Sequence, residues 1–182
     1  METKVKQPVK SNISKMAIVG VLSAIAYILM FMEFSVPLMP VFIKMDLSDF
    51  PALIGSLAVG PVGGVIIALI KNLLHLTVTS TGGVGELSNF ILNAVFVLPA
   101  GFLYKRKKSK KSACGGAILG AILMALFSVV SNYFVVYPVY YNFMPEDTIL
   151  AAYQAIFPGV KSILQSLIVF NMPFTFVKAM IS

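Results

Sequence analysis

Long apolar blocks, separated by short polar segments, run through most of the chain. Apart from a short stretch at 73–78, these blocks are close to the length that crosses a bilayer, and they lie at residues 16–34, 50–70, 87–104, 113–136 and 162–177. A transmembrane helix needs about 20 consecutive, mostly apolar residues. Hydrophobic residues make up 58% of the chain and charged residues only 12%. The pattern therefore predicts an all-α, polytopic membrane protein with a single domain over residues 1–182.

The block at 50–70 is interrupted near its middle by Gly60 and Pro61. Proline lacks the backbone N–H that a helix interior needs, and glycine weakens such an interior. We therefore predict two helices in this part of the chain, over residues 50–60 and 62–78, in place of one.

Basic residues give an independent test of this interruption. Four lysines precede the first block, and six basic residues lie between residues 105 and 111. Because basic loops stay on the cytoplasmic side, an even number of spans must separate the two groups, which requires two helices at the interrupted block. With a last span over about 158–180, the sequence predicts six transmembrane helices in a compact bundle, with both termini and the basic segment 1–12 in the cytoplasm.

The net charge of +7 fits this orientation. Lys178 joins the cytoplasmic basic residues, whereas six of the seven acidic residues fall at or near the outer face. A nucleic-acid-binding protein would need a folded basic surface with groups that read bases or stack on them. Since the basic tracts here only flank helices, we predict the lipid bilayer and no nucleic acid as a partner.

Polar side chains concentrate in the outer half of the predicted bundle. Glu86, Asn89 and Asn93 recur at helical spacing and share one helix face. Further polar and aromatic residues lie in the same half: Asn132, Tyr133, Tyr137, Tyr140, Tyr141, Lys161, Gln165 and Asn171. Single members of this set have simpler explanations. Polar side chains can form hydrogen bonds between helices, and tyrosines are common at the membrane interface. Together the members of the set favour a pocket for a small, polar, partly flat solute.

A dense charged segment follows the first block, with Lys44, Asp46 and Asp49 close to one another. We predict that Lys44 faces a ligand and that the two aspartates anchor the loop. Lys71 and His75 lie four residues apart on one helix face, and they are the candidate partners for these acids. A proton relay or a ligand contact through Lys71 and His75 is the alternative.

Catalytic and metal-binding patterns are weak in this sequence. Ser56 and His75 could pair across helices, but nothing in the sequence indicates an oxyanion hole or an acid that orients the base. The chain lacks the phosphate-binding loop of ATPases, and a single histidine and the single Cys114 do not build a metal site. We therefore predict a protein that is not an enzyme and that needs no cofactor.

The sequence also lacks the two matched halves that many secondary transporters use. A binding pocket in a protein without its own energy source suggests that a partner protein supplies the energy for transport. Ala17, Gly20 and Ala24 form a stripe of small residues on the first helix, where another helix can approach closely. Packing inside the bundle explains the same stripe equally well.

Several short segments carry a resemblance that extends, in order, over most of the chain. They are FIKMDLSDFPALI at 42–54, GP at 60–61, KNLLH at 71–75, GGVGELSNF at 82–90 and NYF at 132–134. In these segments the chain resembles the substrate-binding S components of energy-coupling-factor (ECF) vitamin transporters, most closely the riboflavin-specific ones. Two alternatives stay open, an S component for another vitamin or small metabolite and a small membrane-embedded enzyme that modifies lipid.

The resemblance implies a six-helix bundle in the bacterial plasma membrane that binds riboflavin near its extracellular side, under an inward-folding first loop. It also implies a transmembrane coupling protein and two cytoplasmic ATPases as partners, with the stripe of small residues on the first helix at their interface. The chain departs from the family pattern in having no lysine soon after Asn171. The residues implied for the flavin site are Met39, Phe42, Lys44, Gly85, Glu86, Asn89, Asn132, Tyr133, Lys161, Asn171 and Phe174.

Overall fold

A computed structural model describes residues 9–37, 39–40, 43–79, 82–142 and 144–182. This part of the chain is almost entirely helical, which confirms the predicted all-α class. The helices are α1 (Val9–Phe31), α2 (Asp49–Ala58), α3 (Pro61–His75), α4 (Val84–Arg106), α5 (Lys110–Ser131), α6 (Tyr137–Tyr140), α7 (Glu146–Gln154), α8 (Ile163–Ser166) and α9 (Met172–Ile181). Two short antiparallel strands, β1 (Phe34–Ser35) and β2 (Lys44–Met45), pair within the first loop.

Five helical segments of the described chain are long and apolar enough to cross a membrane. They are Asn12–Phe31, Pro61–Val78, Val84–Arg106, Lys110–Tyr140 and Ile163–Ile181. α2 has 10 residues and is therefore about 15 Å long, which is half of the ~30 Å hydrocarbon thickness of a bilayer. Because α2 is too short to cross by itself, the six-span count and the cytoplasmic position of both termini stay predictions.

The predicted interruption between α2 and α3 is confirmed. α2 ends at Ala58, and Gly60 has a φ of 117°, a positive value that residues with a side chain rarely adopt. Pro61 takes the first position of α3, where its missing N–H leaves no helical bond unmade. The chain turns sharply at this point, and α2 and α3 pack against each other.

Two π-helical turns interrupt the helices in the second half of the chain. α5 continues through the π turn Asn132–Val136 into α6, and the π turn Leu167–Asn171 joins α8 to α9. Pro138 and Pro173 follow these turns by two residues. Because proline has no N–H, the carbonyl group four residues before it lacks its α-helical hydrogen-bond partner. This missing bond favours the wider π-helical turn at these two places. Turns of this kind are frequent at functional sites, and each of these two contains an asparagine.

Two long helices, α4 and α5, approach each other through small residues. Gly116 lies against the backbone of Ala100, and Gly120 lies against the backbone of Phe96. A Cβ atom on Gly120 would lie 2.2 Å from the carbonyl oxygen of Phe96. Contact at this distance needs a glycine, so this pair sets how closely α5 packs on α4.

Candidate ligand-binding site

A cavity lies between four parts of the chain: α4, the π turn and α6 that follow α5, the start of α9 with the π turn before it, and the segment that carries β2. Its volume is about 160 Å³, and it is open to solvent at its mouth. Six of the predicted residues line it: Lys44, Gly85, Asn89, Asn132, Asn171 and Phe174. The fold thus brings together three asparagines from three separate helical segments.

Seven further described residues line the cavity, and they are Ile43, Ser88, Leu92, Val136, Tyr137, Tyr140 and Thr175. Two of them, Tyr137 and Tyr140, belong to the polar and aromatic set for which the sequence favoured a pocket, and the other five were not predicted. Helical spacing was the signal that could have found several of them, because Val136 and Thr175 lie four residues after Asn132 and Asn171. The five that were not predicted are apolar or small hydroxyl residues, and such side chains give no signal of their own in so apolar a chain.

A buried group of charges holds the start of α2 in the middle of the bundle. Lys71 Nζ lies 2.7 Å from Asp49 Oδ1, and Asn93 Nδ2 donates to the same oxygen at 2.5 Å. Lys178 Nζ lies 2.8 Å from Asp46 Oδ2 and 3.6 Å from Asp49 Oδ2. Two carboxylates and two ammonium groups therefore compensate one another away from water. The predicted anchoring of the charged loop is confirmed, with Lys71 as the partner of Asp49.

The prediction that Lys178 belongs to the cytoplasmic basic residues is wrong. Its side chain is buried, and its partner Asp46 lies 132 positions away in the sequence. Burial opposes the charged form of Asp46, but the charges of Lys178 and Lys71 outweigh burial and hold the pKa of Asp46 well below its usual range. The stability that this carboxylate contributes is therefore present above its unfolded-state pKa and is lost as the pH falls through the lower folded-state value.

Lys44 lines the cavity as predicted, but its ammonium group already has a partner. It forms an ion pair with Glu33, and the two side chains are 41% and 31% exposed. An exposed pair of this kind contributes at most about 1 kcal/mol. An acceptor on a ligand can therefore compete with Glu33 for Lys44 at the mouth of the cavity.

Glu86 lies next to Gly85 but its carboxylate points to other groups. It is buried, its Oε1 lies 2.8 Å from His75 Nδ1, and Thr79 donates to its Oε2 at 2.9 Å. His75 thus pairs with Glu86 and not with the aspartates of the first loop. Both carboxylate oxygens are used within the protein, and a ligand contact by Glu86 stays a prediction.

Four other predicted residues lie away from the cavity lining or outside the described chain. Tyr133 is 42% exposed and packs edge-to-face on Phe134, and Lys161 is exposed before α8. Met39 is half-buried and is not part of the lining, while Phe42 falls outside the described residues. Ligand contacts by these residues stay predictions.

A chain of hydroxyl groups reaches the cavity from α7. Tyr153 is fully buried, and its hydroxyl donates to Asn171 Oδ1 at 2.7 Å. The hydroxyl of Tyr137 lies 2.5 Å from that of Tyr153. Asn171 and Tyr137 both line the cavity, so Tyr153 supports the site from behind. Its position in a polar segment outside the apolar blocks gave no sequence signal for this contact.

The small-residue stripe on α1 faces away from the bundle. Ala17, Gly20 and Ala24 are exposed, and a Cβ atom on Gly20 would meet no atom within 4 Å. Packing inside the bundle therefore does not explain the stripe. Its role at an interface with a partner stays a prediction.

Ser56 and His75 do not form a catalytic dyad. The hydroxyl of Ser56 donates to the carbonyl oxygen of Val97 at 2.6 Å, whereas His75 bonds to Glu86. Both side chains therefore have structural partners in this fold.

Known proteins share both sequence and architecture with this chain. The riboflavin transporter RibU of Staphylococcus aureus (strain TCH60) is 40% identical over 122 residues, which cover 67% of this chain and 65% of that protein. The riboflavin transporter FmnP of Bacillus subtilis (strain 168) is 36% identical over 136 residues, which cover 73% of this chain and 72% of that protein. The chain thus spans about two thirds of the length of the Staphylococcus relative.

A solved structure of the S component of a bacterial ECF transporter has the same fold. Its TM-score is 0.72 at 32% sequence identity, and the match covers 93% of this chain and 91% of that chain. The family model for the substrate-specific component of ECF transporters matches residues 14–182. Members of this family are multi-pass membrane components of transporters and not enzymes, in agreement with the five apolar helices. The chain therefore belongs to the family of ECF transporter substrate-specific components.

Proposed function

We propose that this protein is the riboflavin-binding subunit of an uptake system in the bacterial plasma membrane, driven by a transmembrane coupling protein and two cytoplasmic ATPases. The observation that carries the proposal is the convergence of Asn89, Asn132 and Asn171 on one cavity. This convergence occurs in a chain whose relatives include proteins named as riboflavin transporters.

The lining of the cavity suits a flat, neutral ligand with hydrogen-bonding edges. Asparagine amides supply both donors and acceptors, which match the carbonyl groups and nitrogens of an isoalloxazine ring and the hydroxyls of a ribityl chain. Tyr137, Tyr140 and Phe174 add aromatic surface. Among the described residues of the lining, Lys44 is the one that carries a charge, and Glu33 already pairs with it. This balance favours riboflavin over a phosphorylated flavin.

The Asn132→Ala variant is expected to bind riboflavin about 10- to 100-fold more weakly than the parent, because ligand groups lose their partners on the wall of the cavity. The measurement is the quenching of riboflavin fluorescence on titration with purified apo-protein, in which the parent should quench stoichiometrically. Protein purified from cells that make flavin should also be yellow.

The matched control for this experiment is Asn142→Ala. Asn142 is exposed, bonds to backbone carbonyls near the end of α6 and lies outside the lining, so its variant should bind like the parent. A colourless parent protein that does not quench riboflavin would overturn the proposed ligand and favour another vitamin. Equal binding by Asn132→Ala and the parent would instead overturn the site.

A Gly20→Leu variant is expected to bind riboflavin normally but to lose at least about 10-fold in uptake by cells, since a bulky residue would block close approach of a partner helix. Gly115→Leu is the control, because Gly115 is also exposed and a Cβ there meets no atom within 4 Å. Radiolabelled riboflavin uptake and co-purification of the partners measure the effect. Normal uptake by Gly20→Leu, or equal loss in both variants, would contradict a specific role for the α1 stripe.

A further inference from the structure

The hydroxyl chain behind the cavity runs in one direction. Tyr153 uses its single proton to donate to Asn171 Oδ1, so the proton between the two phenols must come from Tyr137. Burial, followed by the neighbouring hydroxyl of Tyr137, raises the pKa of Tyr153. The phenol of Tyr153 therefore keeps its proton and acts as a donor over the whole physiological pH range.

This direction decides which end of the Asn171 amide is available to a ligand. The side-chain oxygen of Asn171 accepts from Tyr153, and the same side chain also forms a hydrogen bond with the hydroxyl of Tyr137. The amide NH₂ has two protons, so one stays available for a further acceptor. Asn171 itself lines the cavity. We propose that Tyr153 is a positioning residue that fixes the Asn171 side chain so that its amide NH₂ donates to a hydrogen-bond acceptor on the ligand.

The proposal rests on the proposed function and sharpens it, because it states which kind of ligand atom Asn171 reads. An isoalloxazine ring offers carbonyl oxygens and unprotonated ring nitrogens as acceptors, whereas its imide N–H is a donor. Because its oxygen accepts from Tyr153, Asn171 donates to a carbonyl oxygen or an unprotonated ring nitrogen of the ligand. It does not accept from the imide N–H. A buried amide with one end held in this way does not need to be reordered when the ligand binds.

A double-mutant cycle tests the role of Tyr153. Tyr153→Phe is expected to weaken riboflavin binding about 5- to 10-fold and Asn171→Ala about 10- to 100-fold. If Tyr153 acts through Asn171, the double variant should bind no more weakly than Asn171→Ala alone. The same loss from Tyr153→Phe in both backgrounds would overturn the proposal, since it would show a general structural effect that does not pass through Asn171.

Tyr141→Phe is the matched control, because Tyr141 packs in the same cluster of apolar and aromatic residues but lies outside the cavity lining. It should bind riboflavin like the parent. A parent protein that does not bind riboflavin at all would contradict the proposed function, whereas a binding parent with an unaffected Tyr153→Phe variant would contradict only this inference.

The Asn171→Asp variant tests the direction of the ligand contact. Its carboxylate can still accept from Tyr153, but it offers the ligand an acceptor in place of a donor. Riboflavin binding should therefore weaken at least as much as in Asn171→Ala. The loss of one hydrogen bond should weaken binding by clearly more than about threefold. If the variant binds riboflavin within about threefold of the parent, Asn171 accepts from the ligand and the assignment is overturned.

Discussion

Replacement of Lys71 by methionine should lower the free energy of unfolding by about 3–5 kcal/mol, the usual cost of leaving a buried charge without its partner. Lys71 and Asp49 are both completely buried, 2.7 Å apart. After the substitution Asp49 would keep only Asn93 and the more distant Lys178. A charge in the apolar interior of a membrane protein costs more than one at its surface, so the start of α2 should lose its place in the bundle.

The measurement is unfolding of the purified protein by increasing SDS in mixed micelles, followed by circular dichroism. Lys111→Met is the control, because Lys111 is exposed at the start of α5 and should leave stability unchanged. The double variant Lys71→Met/Asp49→Asn should recover much of the loss, since no unpaired charge is left. A loss below about 1 kcal/mol in the single variant, the range of exposed ion pairs, would contradict the structural role given to this pair.

Gly120→Ala is expected to cost about 1–3 kcal/mol, in the range of overpacked interiors. The added Cβ would lie 2.2 Å from the carbonyl oxygen of Phe96, and a backbone atom cannot rotate away as a side chain can. α5 must therefore move away from α4. Because α5 leads into Asn132 and α4 carries Asn89, riboflavin affinity should fall together with stability.

Thermal unfolding and fluorescence titration of the same preparations measure both effects. Gly115→Ala is the control in the same helix, where a Cβ would meet no atom within 4 Å. This variant should be as stable as the parent or slightly more stable, since alanine favours a helix over glycine by about 1 kcal/mol. A Gly120→Ala protein with the stability and affinity of the parent would show that the two helices are not held at this distance.

The sequence supported about half of the candidate site. Asn89, Asn132 and Asn171 could be selected because polar side chains in apolar helices need a reason to be there, and all three line the cavity. The prediction could not separate them from Glu86, whose carboxylate is taken up by His75 and Thr79. Composition and spacing tell which residues are polar, but not which neighbours already satisfy them.

Lys178 shows that the sequence also does not reveal the partner of a charged side chain. A lysine near the end of an apolar helix has the same local pattern whether it reaches water or pairs inside the bundle. Here it pairs with Asp46, 132 positions away, and no local rule indicates so distant a partner. Tyr153 was missed for the same reason, since its hydroxyl contacts with Asn171 and Tyr137 join residues from different helical segments.

The sequence by itself determined the helical class, the apolar segments and the interruption at Gly60 and Pro61. These follow from properties that each residue carries alone, such as transfer into an apolar phase or a missing N–H. Only the tertiary structure decided that α2 spans half the usual thickness, that two lysines neutralise two buried aspartates, and that Tyr153 engages the side-chain oxygen of Asn171. These features depend on distances between side chains from different helices, and hydrogen bonds and ion pairs exist only at such short distances.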